Sequence, residues 1–87
     1  MSTEEKMIER LKSIPADYTY SEAKTLARHF GYQEMHKGNT SGSRVMFFRE
    51  RDKRKILLHK PHPGDIMRRY AVRQFFETLQ ENGDIHE

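Results

Sequence analysis

The sequence contains no cysteine and no long hydrophobic run, and both absences exclude whole classes of protein. Without cysteine the chain has neither a disulfide framework nor a thiolate metal site. No apolar run approaches the roughly 18 residues that a membrane-spanning helix needs, and the acidic start of the chain is not that of a secretory signal. We expect a cytoplasmic protein of one domain, residues 1–87, that uses no cofactor and no metal and has no membrane partner.

Hydrophobic residues are also scarce, at 34% of the chain against 33% charged residues. A chain of this length buries only about 60–65% of the surface that it exposes when unfolded, so its core must be small. Five phenylalanines, four tyrosines and several short apolar clusters nevertheless argue against disorder. The composition therefore predicts a small folded domain with a highly polar surface.

The basic residues are concentrated in the middle of the chain. Residues 36–75 hold eleven lysines and arginines against three acidic residues, a balance of +8, whereas residues 1–35 and 76–87 have balances of −1 and −4. A basic block between acidic ends is typical of a surface that binds a polyanion. The alternative is that residues 49–55 are simply a charged hairpin tip that faces solvent.

Three segments have the apolar spacing of amphipathic helices: residues 2–13, 20–30 and about 66–81. The second is the best defined, because Thr19 and Glu22 form a capping-box pattern and Gly31 suits the position after a helix end. The first is short, and the sequence leaves open whether it packs on the core or contacts a partner.

Between the second and third helices the apolar period changes to two, which indicates strands over residues 32–36, 44–49 and 55–60. The glycine-bearing loop and the charged turn between them suit antiparallel hairpins, and two helices can cover one face of such a sheet. The predicted fold is α+β, a three-stranded antiparallel sheet packed on two helices in an α-β-β-β-α core, plus an extra N-terminal helix. Double-stranded-RNA-binding domains have this core layout.

Two short segments carry the chemistry that the sequence offers. Residues 38–44 read GNTSGSR and open the second strand, whereas residues 58–64 read LHKPHPG and follow the third strand into a basic helix. In these features residues 20–80 resemble the HicA family of toxin–antitoxin systems, with a core over residues 19–82. The resemblance implies a double-stranded-RNA-binding-like fold, ribosome-independent cleavage of mRNA, and neutralisation by a HicB-like antitoxin.

One position departs from the pattern of that family. The usual motif is Gly-Ser-His with a catalytic histidine, and the matching residue here is Arg44. Metal-free cleavage of RNA needs a base, an acid and a cation that stabilises charge on the phosphate. An arginine suits the last role but stays protonated, so His36 or His62 would move the protons. The candidate catalytic residues are therefore Arg44, His62 and His36, and the alternative for both histidines is an exposed side chain without a role.

The remaining candidates are predicted to bind RNA. The glycine loop offers backbone N–H groups and hydroxyls to phosphate, although its local sequence also suits an ordinary hairpin loop. Basic residues at the start of the last helix gain nothing from its dipole, which favours an anionic partner for them. The predicted RNA-binding residues are Lys37, Gly38, Asn39, Thr40, Ser41, Gly42, Ser43, Lys60, Arg68, Arg69 and Arg73. We expect Phe47, Phe75 and Phe76 to lie in the core rather than to stack on bases.

Three functions of different classes remain open at this point. The first is a metal-independent endoribonuclease, the second a non-catalytic RNA-binding module of the same fold, and the third a domain whose basic face docks an acidic protein. They predict, respectively, cleavage of RNA, salt-sensitive RNA binding without cleavage, and no preference for RNA over other polyanions.

Overall fold

The computed structural model describes residues 3–35, 44–61 and 64–86, and for Arg44 the backbone alone. Its elements are α1 (Thr3–Lys12), α2 (Tyr20–His29), β1 (Gln33–Met35), β2 (Arg44–Arg49), β3 (Arg54–His59) and α3 (Arg69–Glu81). The three strands form one antiparallel sheet in the order β1-β2-β3. This confirms the predicted α+β fold with its double-stranded-RNA-binding-like α-β-β-β-α core.

The hydrophobic core lies between one face of the sheet and the helices. It is filled by alternate residues of the strands and by one stripe of each helix, the burial that periods of two and 3.6 produce. Fully buried members include Leu26 and Ala27 of α2, Phe47 of β2, Ile56 of β3, and Val72, Phe75 and Leu79 of α3. Phe76 is partly buried and packs against them. The prediction that the three phenylalanines belong to the core is therefore confirmed.

The N-terminal helix α1 packs on this core. Leu11 is fully buried, and Met7 and Ile8 pack against the central cluster. The guanidinium of Arg10 pairs with the Glu22 carboxylate of α2, with Nη2 at 3.0 Å from Oε1. Hydrogen bonding from Arg10 holds the pKa of Glu22 below its usual range. The sequence left open whether this helix packs on the core, and these contacts show that it does.

The ends of α2 follow the predicted capping chemistry. The hydroxyl of Thr19 accepts a hydrogen bond from the Glu22 backbone N–H at 3.1 Å, and Glu22 Oε1 accepts one from the Thr19 N–H at 3.3 Å. Phe30 is the C-cap, and Gly31 follows it with φ of +97°, a conformation that glycine adopts without strain. Both helix-end predictions are confirmed.

The start of α3 differs from the prediction, because the helix begins at Arg69 rather than near Ile66. Residues 65–67 pair instead with residues 18–20, through an antiparallel bridge between Thr19 and Ile66 flanked by backbone hydrogen bonds of 2.7 and 2.8 Å. These long-range bonds satisfy backbone groups that a longer helix would otherwise satisfy. The other element boundaries agree with the prediction to within one residue.

Arg49, at the end of β2, also differs from expectation, since it is 3% exposed and does not belong to a solvent-facing hairpin tip. Its guanidinium donates to Asp84 Oδ1 at 2.7 Å, to both Asp52 oxygens at 2.8 and 2.9 Å, and to the Phe30 carbonyl at 3.0 Å. It also lies 4.4 Å from the ring centroid of Tyr32. The bonds to Asp52, above all, raise the pKa of Arg49, and burial raises the pKa of Tyr32 to about 12. The network ties the residues after α3 to the sheet.

Candidate nucleic-acid interface

The strand ends that flank the two predicted loops lie at one end of the sheet. Met35, the last residue of β1, pairs with Met46 of β2, and Arg44, the first residue of β2, pairs with His59, the last of β3. The glycine-bearing segment, residues 36–43, therefore joins the sheet at the same end at which β3 leads through Lys60 into the proline–histidine segment, residues 61–64. His36, residues 37–43 and His62 lie outside the described residues, so the structure gives only the positions at which these segments attach.

The first turn of α2 packs against this end of the sheet. Tyr20 is buried, with its ring centroid 6.4 Å from that of Phe47 and its hydroxyl donating to Glu34 Oε2 at 2.8 Å. Burial, followed by this hydrogen bond, raises the pKa of Tyr20 far above its ordinary value. Glu34 Oε1 also lies 3.1 Å from Lys24 Nζ. Lys60, directly after β3, holds its Nζ 5.9 Å from the Tyr20 ring centroid, within cation–π range.

Asp65, the residue that follows the proline–histidine segment, is bound to the first turn of α2. Asp65 Oδ2 accepts hydrogen bonds from the Ser21 hydroxyl at 2.7 Å and from the Ser21 backbone N–H at 3.3 Å. Lys60 and Asp65, one on each side of the segment, thus contact Tyr20 and Ser21, the first two residues of α2. This fixes both attachments of the segment against one rigid element, close to the attachments of the glycine-bearing segment.

Three exposed arginines stand at the start of α3. Arg68 is the N-cap residue in an extended conformation, with φ of −69° and ψ of 147°, and its side chain makes no capping hydrogen bond. Arg69 Nε donates to the Ile14 carbonyl at 3.2 Å, and Arg73 follows one turn later. The first turn of α3 contains no acidic residue. Cations at the positive end of a helix dipole are unfavourable by themselves. A phosphate bound there would be stabilised by the dipole and by the arginine side chains.

A family model for the HicA toxin of bacterial toxin–antitoxin systems matches residues 20–81. The chain belongs to the HicA toxin family. The match runs from the first residue of α2 to the last of α3, so it includes all the predicted catalytic and RNA-binding positions and leaves out α1. Searches of curated proteins and of solved structures found no match. The resemblance that the two sequence segments indicated is thereby confirmed, and the chain is the toxin component of a toxin–antitoxin pair.

Tyr70 is a residue of this HicA-family chain to which sequence reasoning assigned no role. It lies between Arg69 and Arg73 on the first turn of α3 and is 56% exposed, and Ile66 just before the helix is 58% exposed. Its position outside the apolar stripe of α3 was the available signal. An exposed ring among arginines has the chemistry that stacks on nucleic-acid bases.

Over residues 3–35, 44–61 and 64–86, no group of three or more His, Cys, Asp or Glu side chains is placed to hold a metal ion. In the same residues no helix has both the length and the apolar character needed to cross a membrane. The described features near this end of the sheet that suit recognition of nucleic acid are Lys60, the arginines at the start of α3, the exposed Tyr70 ring and the two loop attachments.

Proposed function

We propose that this HicA-family toxin binds mRNA in the cytoplasm, cuts it without a metal ion, and is neutralised by a HicB-like antitoxin. The observation that carries the proposal is the pairing of Arg44 with His59, since it puts the attachments of the glycine-bearing and proline–histidine segments at the same end of the sheet. A ribose–phosphate unit held there would meet residues of both segments. Lys60 and the arginines of α3 supply positive charge for the flanking phosphates.

The chemistry available is transfer of the phosphate within the RNA chain. A base takes the proton of a 2′-hydroxyl, the oxygen attacks the adjacent phosphorus, and the bond from phosphorus to the 5′-oxygen breaks as an acid protonates that oxygen. His36 and His62 fill the two proton-transfer roles, because histidine titrates near neutral pH. Arg44 and the backbone N–H groups of residues 38–43 stabilise the charge that builds on the phosphate.

A second function is favoured by one specific observation, the arginine at the position of the family's histidine. A permanently protonated guanidinium does not act as a base, and a chain that lost its base would bind RNA without cutting it. This non-catalytic RNA-binding module shares every binding contact with the endoribonuclease. The two functions differ only in whether bound RNA is cleaved.

Replacing Arg68 and Arg73 together with alanine is expected to weaken RNA binding and to flatten its dependence on salt. Each phosphate contact to a single strand contributes about 0.7 to the slope of log affinity against log salt concentration, so loss of two contacts lowers the slope by about 1.4. Arg69 is left in place because it also bonds the Ile14 carbonyl. The measurement is fluorescence anisotropy of a labelled RNA carrying 2′-O-methyl groups, which block cleavage, over a series of salt concentrations.

The matched control removes two exposed arginines at the opposite end of the molecule. Arg28 lies in the last turn of α2 and Arg51 in the turn between β2 and β3, away from the strand ends of Arg44 and His59. The Arg28→Ala/Arg51→Ala double variant loses the same charge and is expected to keep the wild-type slope to within about half of one contact. Equal slopes for the two double variants would contradict the placement of the RNA.

A further inference from the structure

The face of the sheet turned away from the helices is apolar along its centre. Met35, Met46 and Leu57 form a cross-strand row on this face, through the pairs Met35–Met46 and Met46–Leu57. Leu57 is 61% exposed and Met35 40% exposed, and Phe48 in the next row is partly exposed. We call these four side chains the open-face patch. A contiguous apolar patch with a polar rim is typical of a protein-interaction surface.

The rim of the open-face patch carries uncompensated positive charge. At the β2–β3 turn, the Lys53 ammonium pairs with Glu50 at 2.7 Å, and Asp52 is bound to the buried Arg49. Among the described residues, these contacts use both carboxylates of the turn. The cations left over there are Arg51 in the turn and Lys55, which shares the face of Leu57; both are exposed.

These features select a kind of partner. The central row of the patch is methionine and leucine, which offer no aromatic face for stacking bases, and the one ring, Phe48 in the next row, has Lys53 Nζ 5.9 Å from its centroid. The centre of the patch therefore fits protein better than RNA. Pairing of two copies through this face would bring Lys55 and its basic neighbours against the same charges, which is unfavourable. A partner with an apolar centre and carboxylates around it is complementary in both respects.

We propose that the antitoxin docks on the open-face patch, with apolar side chains over Leu57 and Met35 and carboxylates facing Arg51 and Lys55. The proposal rests on the proposed function only in taking the neutralising antitoxin as the partner. The sheet register relates the patch to the proposed RNA site. His59 is exposed on the same face, two residues beyond Leu57, and it pairs with Arg44 at the strand end where the RNA site is proposed. An antitoxin on the patch therefore lies next to the proposed RNA site.

The Leu57→Glu variant of the full chain tests the docking surface. It places a carboxylate at the centre of the patch, where it would be desolvated without a partner, and we expect binding of the purified cognate antitoxin to weaken about 30-fold or more. Lys55→Glu is expected to weaken binding less and to reduce its dependence on salt. Calorimetric titration with the antitoxin measures both. The matched control is Thr25→Glu, which adds the same charge at an exposed position of α2, on the helical side of the sheet.

Each outcome decides for or against the docking surface. The expected result is weaker antitoxin binding by Leu57→Glu, near-wild-type binding by Thr25→Glu, and RNA affinity within about twofold of wild type for Leu57→Glu. Unchanged antitoxin binding would overturn the proposal, as would a loss of RNA binding in parallel, or a change from dimer to monomer that identifies a second copy as the occupant. If the wild-type chain neither binds nor cuts RNA while Leu57→Glu still loses the antitoxin, the proposed function fails and the docking surface stands.

Discussion

RNA cleavage by the His62→Ala variant is expected to be about 10²–10⁴ times slower than wild-type cleavage, the usual cost of removing a general acid or base. Arg44 cannot compensate because its guanidinium stays protonated, and His36 supplies only one of the two proton transfers. His36→Ala is expected to have an effect of the same order. The measurement is the single-turnover rate on an end-labelled RNA, with His86→Ala, an exposed histidine near the end of the chain, as the control.

Variants of Arg44 distinguish the endoribonuclease from the non-catalytic RNA-binding module. Arg44→Ala removes a cation from the developing charge and is expected to slow cleavage, whereas Arg44→Lys retains part of the rate. Wild-type cleavage that survives both Arg44→Ala and His62→Ala would contradict the catalytic assignment. In the non-catalytic alternative, the wild-type chain binds RNA without cutting it, and Arg44→His, which restores the family motif, is the variant that gains cleavage.

Replacing Arg49 with alanine is expected to lower the free energy of unfolding by about 3–5 kcal/mol, the range found when one partner of a buried ion pair is removed. The reason is Asp84, whose side chain is 7% exposed and would lose the guanidinium that holds it at 2.7 Å. The Tyr32 hydroxyl, which donates to the other Asp84 oxygen at 2.6 Å, does not replace the lost charge. The measurement is urea unfolding of the full chain followed by circular dichroism.

Two further variants test whether burial of the charge causes the loss of stability expected for Arg49→Ala. Glu50→Ala removes an exposed ion pair with Lys53, whose side chains are 80% and 69% exposed, and is expected to cost less than about 1 kcal/mol. Adding Asp84→Asn to Arg49→Ala removes the unpaired carboxylate and is expected to recover part of the loss. A cost below about 1 kcal/mol for Arg49→Ala alone would contradict the role given to this network.

Local pattern was sufficient for the elements of the fold and for the ends of α2. The period of two, the period of 3.6 and the capping residues Thr19 and Gly31 are all encoded within a few neighbouring positions. Pairings between distant residues are not encoded in this way. The start of α3 was misplaced because residues 65–67 bond to residues 18–20, and Arg49 was taken for a solvent-facing residue because its carboxylate partner, Asp84, lies 35 positions away.

The candidate site was predictable only where it depends on local sequence. The motif segments and the basic start of α3 are visible in the sequence, and the family match covers them. The sheet register that aligns Arg44 with His59 depends on the turn between β2 and β3, where Lys53 adopts a left-handed conformation with φ of +58°. Because lysine gives no signal for that conformation, the turn geometry could not be predicted. The contacts of Tyr20 with Phe47, Glu34 and Lys60 likewise required the tertiary structure.

The end groups of RNA cut by the purified chain in the presence of EDTA test the central claim most directly. Attack by the 2′-hydroxyl predicts fragments that end in a 2′,3′-cyclic phosphate and begin with a 5′-hydroxyl. It also predicts that a nucleotide with hydrogen in place of its 2′-hydroxyl resists cleavage of the phosphodiester bond on its 3′ side. Fragments with 3′-hydroxyl and 5′-phosphate ends, or RNA that remains intact in EDTA, would contradict a metal-free ribonuclease toxin.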